Sequence, residues 1–363
     1  KVGDQHSCTS GIRAYASNWK VILPSIPSRK ELGMSYLIQL PERVSTNPVY
    51  QALNPRGKDF LDVRWLPKEL NPFALYGIKV GAVVLKQFPH IKTLATVQMM
   101  LEDFKEGLYE GMHTIVVPSS GNTAHAVARL ARAFGFSEVK VVLSADVPDS
   151  KKGVLTALSV DVIGVGGGKS VEDRAREIVE KNSGHVLLNQ YSHMGNLRAH
   201  YMFTGPEMQR VLGGIVAVVA IAMGSGGTAA GVGKFFHEER LGTVVLGVRP
   251  SPGERVPGAR DKARMDDVVT LPWQESVDVV IELSRKKAFI HTRELWSAVE
   301  PQPGPSSGLA YGGLIKYLKN LPLEEIEKLR GKSIGFLCPD SASLYSDIMS
   351  AELDTGQGLP AYL

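Results

Sequence analysis

Cysteine is almost absent from this chain. Only Cys8 and Cys338 occur in 363 residues, too few for a disulfide framework. Cys338 ends the apolar run Ser333–Cys338 and is expected to be a small buried hydrophobe. No CxxC pair or cluster of His and Cys is present, so no metal centre is expected. Long hydrophobic runs are missing too. The most apolar stretch, Gly213–Met223, falls well short of the ~20 residues a spanning helix needs, and no membrane association is expected. An excess of one charge is also lacking: 41 basic residues face 37 acidic ones, giving +4. The basic runs Arg29-Lys30, Lys151-Lys152 and Arg285-Lys286-Lys287 are short, which argues against a nucleic-acid partner. There is no signal-peptide pattern, no internal repeat and no low-complexity segment, and the expected compartment is the cytoplasm.

What is present is an alternation of short apolar runs with helical patterns. The runs are His113–Val117, Val139–Leu143, Val160–Val165, His185–Asn189, Gly214–Met223, Thr243–Val248 and Ser333–Cys338. Continuous Val/Ile runs of this kind predict parallel strands covered on both faces, hence an α/β protein. In such sheets ligands sit beyond the carboxyl ends of the strands.

Two loops fall at such ends. Gly224-Ser225-Gly226-Gly227-Thr228 lies between the strand Gly214–Met223 and a helix-compatible segment, Ala229–Glu239. Glycines allow close approach of the backbone, Ser225 and Thr228 add hydroxyl donors, and a helix N-terminus favours an anion. A phosphate is the natural ligand. The loop lacks the Gly-Lys-Ser/Thr of the nucleotide-triphosphate site and the G-x-G-x-x-G of the dinucleotide site. Ser119-Ser120-Gly121-Asn122-Thr123 follows the strand Thr114–Val117 and opens a second helix, Ala124–Ala133. Its donors suit a carboxylate. A third loop, Gly164–Gly168, reads as a turn with Ser170 capping the helix after it, and alone supports a nicotinamide dehydrogenase.

Taken in order, these segments resemble the fold-type II pyridoxal-phosphate (PLP) enzymes of the cysteine synthase and cystathionine β-synthase branch. Ser119–Thr123 resembles the T/S-S-G-N-T substrate-carboxylate loop, and Gly224–Thr228 the phosphate cup. Gln190-Tyr191 resembles the Gln-Phe bordering the substrate, and Thr204-Gly205-Pro206-Glu207 the step after it. Gly304-Pro305-Ser306-Ser307-Gly308 resembles G-I-S-S-G, whose first serine takes the pyridine nitrogen. Pro339-Asp340-Ser341 with Tyr345, and Thr46-Asn47-Pro48-Val49, resemble the family's late and early elements.

The resemblance implies two domains with open, mostly parallel sheets flanked by helices. Residues 1–59 and 204–363 would form the large PLP-binding domain and 60–203 the smaller substrate domain. It implies β-replacement on an O-activated serine through an aminoacrylate, with a small nucleophile as second substrate, and a homodimer. Serine/threonine dehydratase chemistry and a non-catalytic PLP-binding homologue are the alternatives. PLP would contact Asn122, the residues Gly224, Ser225, Gly226, Gly227 and Thr228, and Ser306. The substrate carboxylate would sit on Ser119, Ser120, Gly121, Asn122, Thr123 and Gln190. Gly258, Ala259 and Arg260 would line the site, with Arg260 taking a phosphate or second carboxylate.

The imine lysine is placed by Asn71-Pro72, the start of the family's N-P-x-G-S-x-K-D-R. Lys79, flanked by Ile78 and Val80 before an apolar helix Val80–Leu85, is the expected catalytic residue, with Lys86 second.

Overall fold

The computed structural model describes residues 40, 42–119, 121–145, 147, 149–166, 170–239 and 241–354. Among these residues, ten strands form two sheets. In chain order they are β1 Leu61–Trp65, β2 Lys79–Leu85, β3 Thr114–Pro118, β4 Glu138–Ser144, β5 Asp161–Val165 and β6 His185–Leu187. Then follow β7 Val216–Ala222, β8 Val244–Pro250, β9 Val279–Leu283 and β10 Ser333–Cys338. One sheet has six strands in the order β1-β2-β10-β7-β8-β9, the other four in the order β5-β4-β3-β6. Only β1 and β2 pair antiparallel. Every other pairing is parallel.

The parallel strands are apolar because helices cover both faces. Residues Val216–Ile221 of β7 are all buried, and so are all six residues of β10. The core of this sheet gathers Val218, Leu246, Leu309, Leu314 and Phe336, each at 1% exposure or less. Burying each such side chain contributes roughly 1.5–3 kcal/mol.

Two expectations are corrected by the strands near the start of the chain. Val80–Leu85 is not a helix but most of β2, buried throughout. Its valines are stiff at χ1 and pack well on a pleated surface. Gly81 fits where a Cβ would lie 2.6 Å from Val63 on β1. The sheets also divide the chain differently from a boundary at residue 60, because β1 and β2 belong to the six-stranded sheet. The four-stranded sheet draws its strands from residues 114 to 187.

Each of the seven apolar runs falls on a strand, β3 to β8 and β10. Ser170 caps the Val171–Glu180 helix by accepting from Asp173 N–H. No helix among the described residues is long and apolar enough to cross a membrane, and no cluster of metal-ligating side chains occurs among them.

Candidate active site

A pocket opens where β3 of the four-stranded sheet and β7 and β10 of the six-stranded sheet run out toward their carboxyl ends. Asn122 enters it after β3, Gly224, Ser225, Gly226 and Thr228 after β7, and Gly258 from the loop after β8. Pro339 and Asp340 follow β10, and Ser306 and Lys92 stand at helix starts. Four helices thus begin at this cleft: Lys92–Lys105, Asn122–Leu130, Gly227–Glu238 and Pro305–Lys319. Their N-terminal dipole ends make the pocket favourable for anions.

The glycine loop is built for close approach. Gly226 has φ +78°, in the left-handed region, and caps its helix without a side-chain hydrogen bond. The amides of the first turn are therefore left for a ligand. Gly224 has no room for a Cβ, which would lie 2.4 Å from the Gly258 carbonyl oxygen. Thr228 is buried, and its hydroxyl lies 3.1 Å from His200 Nε2. His200 Nδ1 lies 2.9 Å from the Thr204 hydroxyl. Burial, with Lys92 nearby, holds this imidazole neutral, well below its usual range.

The lysine in the pocket is Lys92. Its Nζ donates to Ser225 Oγ over 2.9 Å. Its pKa is pulled down to about 8, first by burial and then by the Arg260 cation, with Asp340 opposing. Lys79 lies elsewhere. It is the exposed first residue of β2, 5.9 Å from the Trp65 ring centre, and pairs with Ser333 at the start of β10. The pocket lies beyond Cys338, five positions further along β10 and thus ~16 Å away at ~3.3 Å per residue. Lys86 is exposed just after β2. The expectation at Lys79 came from spacing after Asn71-Pro72, and Asn71 instead buries its amide against the Ile78 carbonyl, 2.9 Å away.

Asn122 Nδ2 donates to Asp340 Oδ2 at 2.9 Å and to the Tyr345 hydroxyl at 3.2 Å. Tyr345 donates to the same carboxylate oxygen at 2.6 Å. Thr123 Oγ1 donates to Gln190 Oε1 at 2.8 Å, and both side chains are buried. Ser119 is buried at the end of β3 and accepts from Gly121 N–H. Ser120 lies outside the described residues. Ser306 is 2% exposed and its Oγ has no hydrogen-bond partner. Ala259 and Arg260 continue the rim from Gly258, and the Arg260 amide donates to the Met223 carbonyl. Arg260 is also tied to Tyr191 and lies 3.8 Å from Glu172.

The structure therefore gathers the glycine loop, Asn122, Gly258 and Ser306 in one pocket. Ser119, Thr123 and Gln190 stand beside it and Arg260 at its rim. The pocket also holds Lys92 and Asp340, with Asn196 bonded to Ser225, none of which the sequence placed there. One signal for Lys92 was available. A cation in the first turn of an apolar helix opposes the helix dipole, so its position needs a reason.

Comparison with known proteins fits this geometry. A family described as "Pyridoxal-phosphate dependent enzyme" matches residues 91–333. Cysteine synthase B of Escherichia coli K12 is 28% identical over 235 residues, 64% of this chain and 77% of that protein. Cysteine synthase A of the same organism is 27% identical over 288 residues, covering 74% and 87%. The solved O-acetylserine dependent cystathionine β-synthase of Helicobacter pylori superposes with a TM-score of 0.67 at 23% identity. That match covers 82% of this chain and 95% of its own, and shows a shared fold.

Proposed function

Because this chain belongs to the pyridoxal-phosphate dependent enzyme family, we propose that it catalyses β-replacement on an O-activated L-serine, in the manner of its cysteine synthase relatives. One observation carries the reading. A lysine amine with a lowered pKa meets a glycine-rich anion loop inside a single pocket.

The residues present fit PLP. The orphaned hydroxyl of Ser306 suits a pyridine nitrogen, which needs one uncharged donor or acceptor. Gly224, Ser225, Gly226, Gly227 and Thr228 would hold the phosphate by backbone N–H and hydroxyl groups at a helix start. Lys92, in place of Lys79, would hold the aldehyde carbon covalently. When bound, PLP supplies an electron sink for the carbon beside the substrate amine.

This chain's own groups do the rest. The amine of Lys92, once released, removes the α-proton as general base, and a pKa pulled down to about 8 suits that task. The Ser119–Thr123 loop, with Asn122 opening a helix, binds the substrate carboxylate. Thr123 holds Gln190 at the same end of the site. Arg260 presents a cation at the rim, matched to an anionic leaving group such as phosphate. A small nucleophile then takes the place of the leaving group. In this reading the six-stranded sheet carries the cofactor and the four-stranded sheet the carboxylate loop. The enzyme would work as a cytoplasmic homodimer, which light scattering and cell fractionation would check.

Borohydride reduction of the PLP-bound protein followed by peptide mapping tests the reading. The label should fall on Lys92, and Lys79→Ala should leave it there. A label on Lys79, or none, would overturn the assignment. Formation of cysteine from O-acetylserine or O-phosphoserine with sulfide tests the reaction class.

A further inference from the structure

Two helices each deliver one side chain to a single oxygen. Lys92, on the Lys92–Lys105 helix, donates to Ser225 Oγ. Asn196, on the Met194–Ala199 helix, donates to the same oxygen through Nδ2 at 2.9 Å. The amide orientation of Asn196 is forced, because Nδ2 also lies 2.7 Å from the Gln190 carbonyl, which can only accept. Asn196 is fully buried, and its Oδ1 has no hydrogen-bond partner. That oxygen lies 2.4 Å from where a Cβ on Gly227 would be. A buried amide with an unmet acceptor costs stability, so its place under the glycine loop calls for a return in function.

The hydroxyl of Ser225 explains it. A hydroxyl oxygen accepts at two lone pairs and donates one proton. Protonated Lys92 and Asn196 use both lone pairs before PLP binds, and Asn196 still holds one once Lys92 is tied to the aldehyde carbon. Since Asn196 Nδ2 can only donate, the Ser225 proton is left for a third group. Ser225 is 3% exposed and lines the pocket.

We propose that Asn196 is a positioning residue that turns the Ser225 hydroxyl into a fixed donor toward an anion in the pocket. It also joins the two halves of the site. Thr123 donates to the Gln190 side chain and Asn196 to the Gln190 carbonyl, so hydrogen bonds run from the carboxylate loop to the glycine loop and on to Lys92. The short helix bearing Asn196 cannot drift. Arg198 Nε donates to Glu102 at 2.8 Å, and His193 Nε2 lies 2.7 Å from Asp103, both partners on the lysine helix. Gly195 sits where a Cβ would lie 2.9 Å from the Met99 backbone.

The proposal rests on Gly224–Thr228 as the phosphate seat, and a double-mutant cycle separates the two. PLP is titrated into apo protein and followed by quenching of tryptophan fluorescence, for wild type, Asn196→Ala, Ser225→Ala and the double variant. With Ser225 present, Asn196→Ala should weaken PLP binding roughly tenfold, the scale of a hydrogen bond to a charged group. In the Ser225→Ala background the same change should cost less than about twofold, because the two act as one unit. Equal losses in both backgrounds, or no loss with Ser225 present, would overturn it. Asn196→Asp keeps the volume, removes both donors and serves where the alanine variant does not fold. Wild-type affinity in that variant overturns the proposal as well. Failure of the wild type to bind PLP would instead remove the phosphate seat, and the proposal with it.

Discussion

The Arg260 guanidinium lies over the Tyr191 ring, 4.4 Å from its centre, and donates to the Tyr191 hydroxyl at 2.6 Å. The loop after β8 is thereby fastened to the segment that follows β6. A stacked, hydrogen-bonded guanidinium keeps its charge and gives up little rotamer freedom on meeting an anion.

Arg260→Ala should therefore change which donor is used. The ratio of kcat/KM for O-phosphoserine over O-acetylserine should fall tenfold or more, mostly through KM for the phosphate ester, as expected for loss of a charge-assisted contact. Tyr191→Phe keeps the stacking and should give a smaller fall. An unchanged ratio in Arg260→Ala would show that the cation serves only the fold.

Capture of PLP by apo protein should follow the neutral fraction of Lys92. The free amine is the nucleophile. The rate should climb with pH and level off above about 8, not above the ordinary lysine value of 10.5. Arg260→Ala removes a nearby cation and should move the inflection up, whereas Asp340→Asn removes the opposing anion and should move it down. For stability the sign follows from proton counting. Between about 8 and 10.5 the unfolded chain holds the extra proton, so this group makes the apo protein more stable as pH rises through that window. Stopped-flow absorbance gives the first profile. A climb continuing past pH 10 would contradict the burial of Lys92.

Gly224→Ala should cost PLP affinity more than tenfold while leaving the far-ultraviolet circular dichroism unchanged. Its Cβ would press on the Gly258 carbonyl, and backbone has little freedom to yield. Near-normal PLP affinity would mean the two loops can part without consequence.

The pair joining the lysine helix to the Asn196 helix is a stability element. Glu102 is 6% exposed at its side chain and also receives Gln98 Nε2 at 2.7 Å. Arg198→Met should lower stability by about 2–4 kcal/mol, because a buried carboxylate loses its cation. A lower urea midpoint at constant slope would report it. An unchanged midpoint would place the pair among those that contribute nothing.

Much of this architecture was legible because parallel strands are buried on both faces. Runs such as Val216–Ala222 and Ser333–Cys338 announce themselves without reference to anything distant. The two anion loops were legible for a similar local reason, since a helix start and its donors are sequence neighbours. The strand Lys79–Leu85 was not. Its glycine and short apolar run are compatible with a helix until the pairing with β1 and β10 is known. The lysine of the pocket was hidden for a different reason, since spacing after Asn71-Pro72 pointed to Lys79. What a side chain can do depends on what surrounds it, and around Lys92 stand Ser225, Arg260 and Asp340, all more than 130 residues away in sequence. Asn196 was invisible for the same cause.

Among the described strands, the one that completes the large sheet comes last in the chain. β10 fills the gap between β2 and β7, so until residue 338 has left the ribosome those two strands face each other across a missing neighbour. Nascent chains stalled before Ser333 would expose two bare, valine-rich edges, the kind that recruit other chains. Assembly of this sheet therefore waits on its final strand, and Asp340, two residues past it, joins the pocket only then.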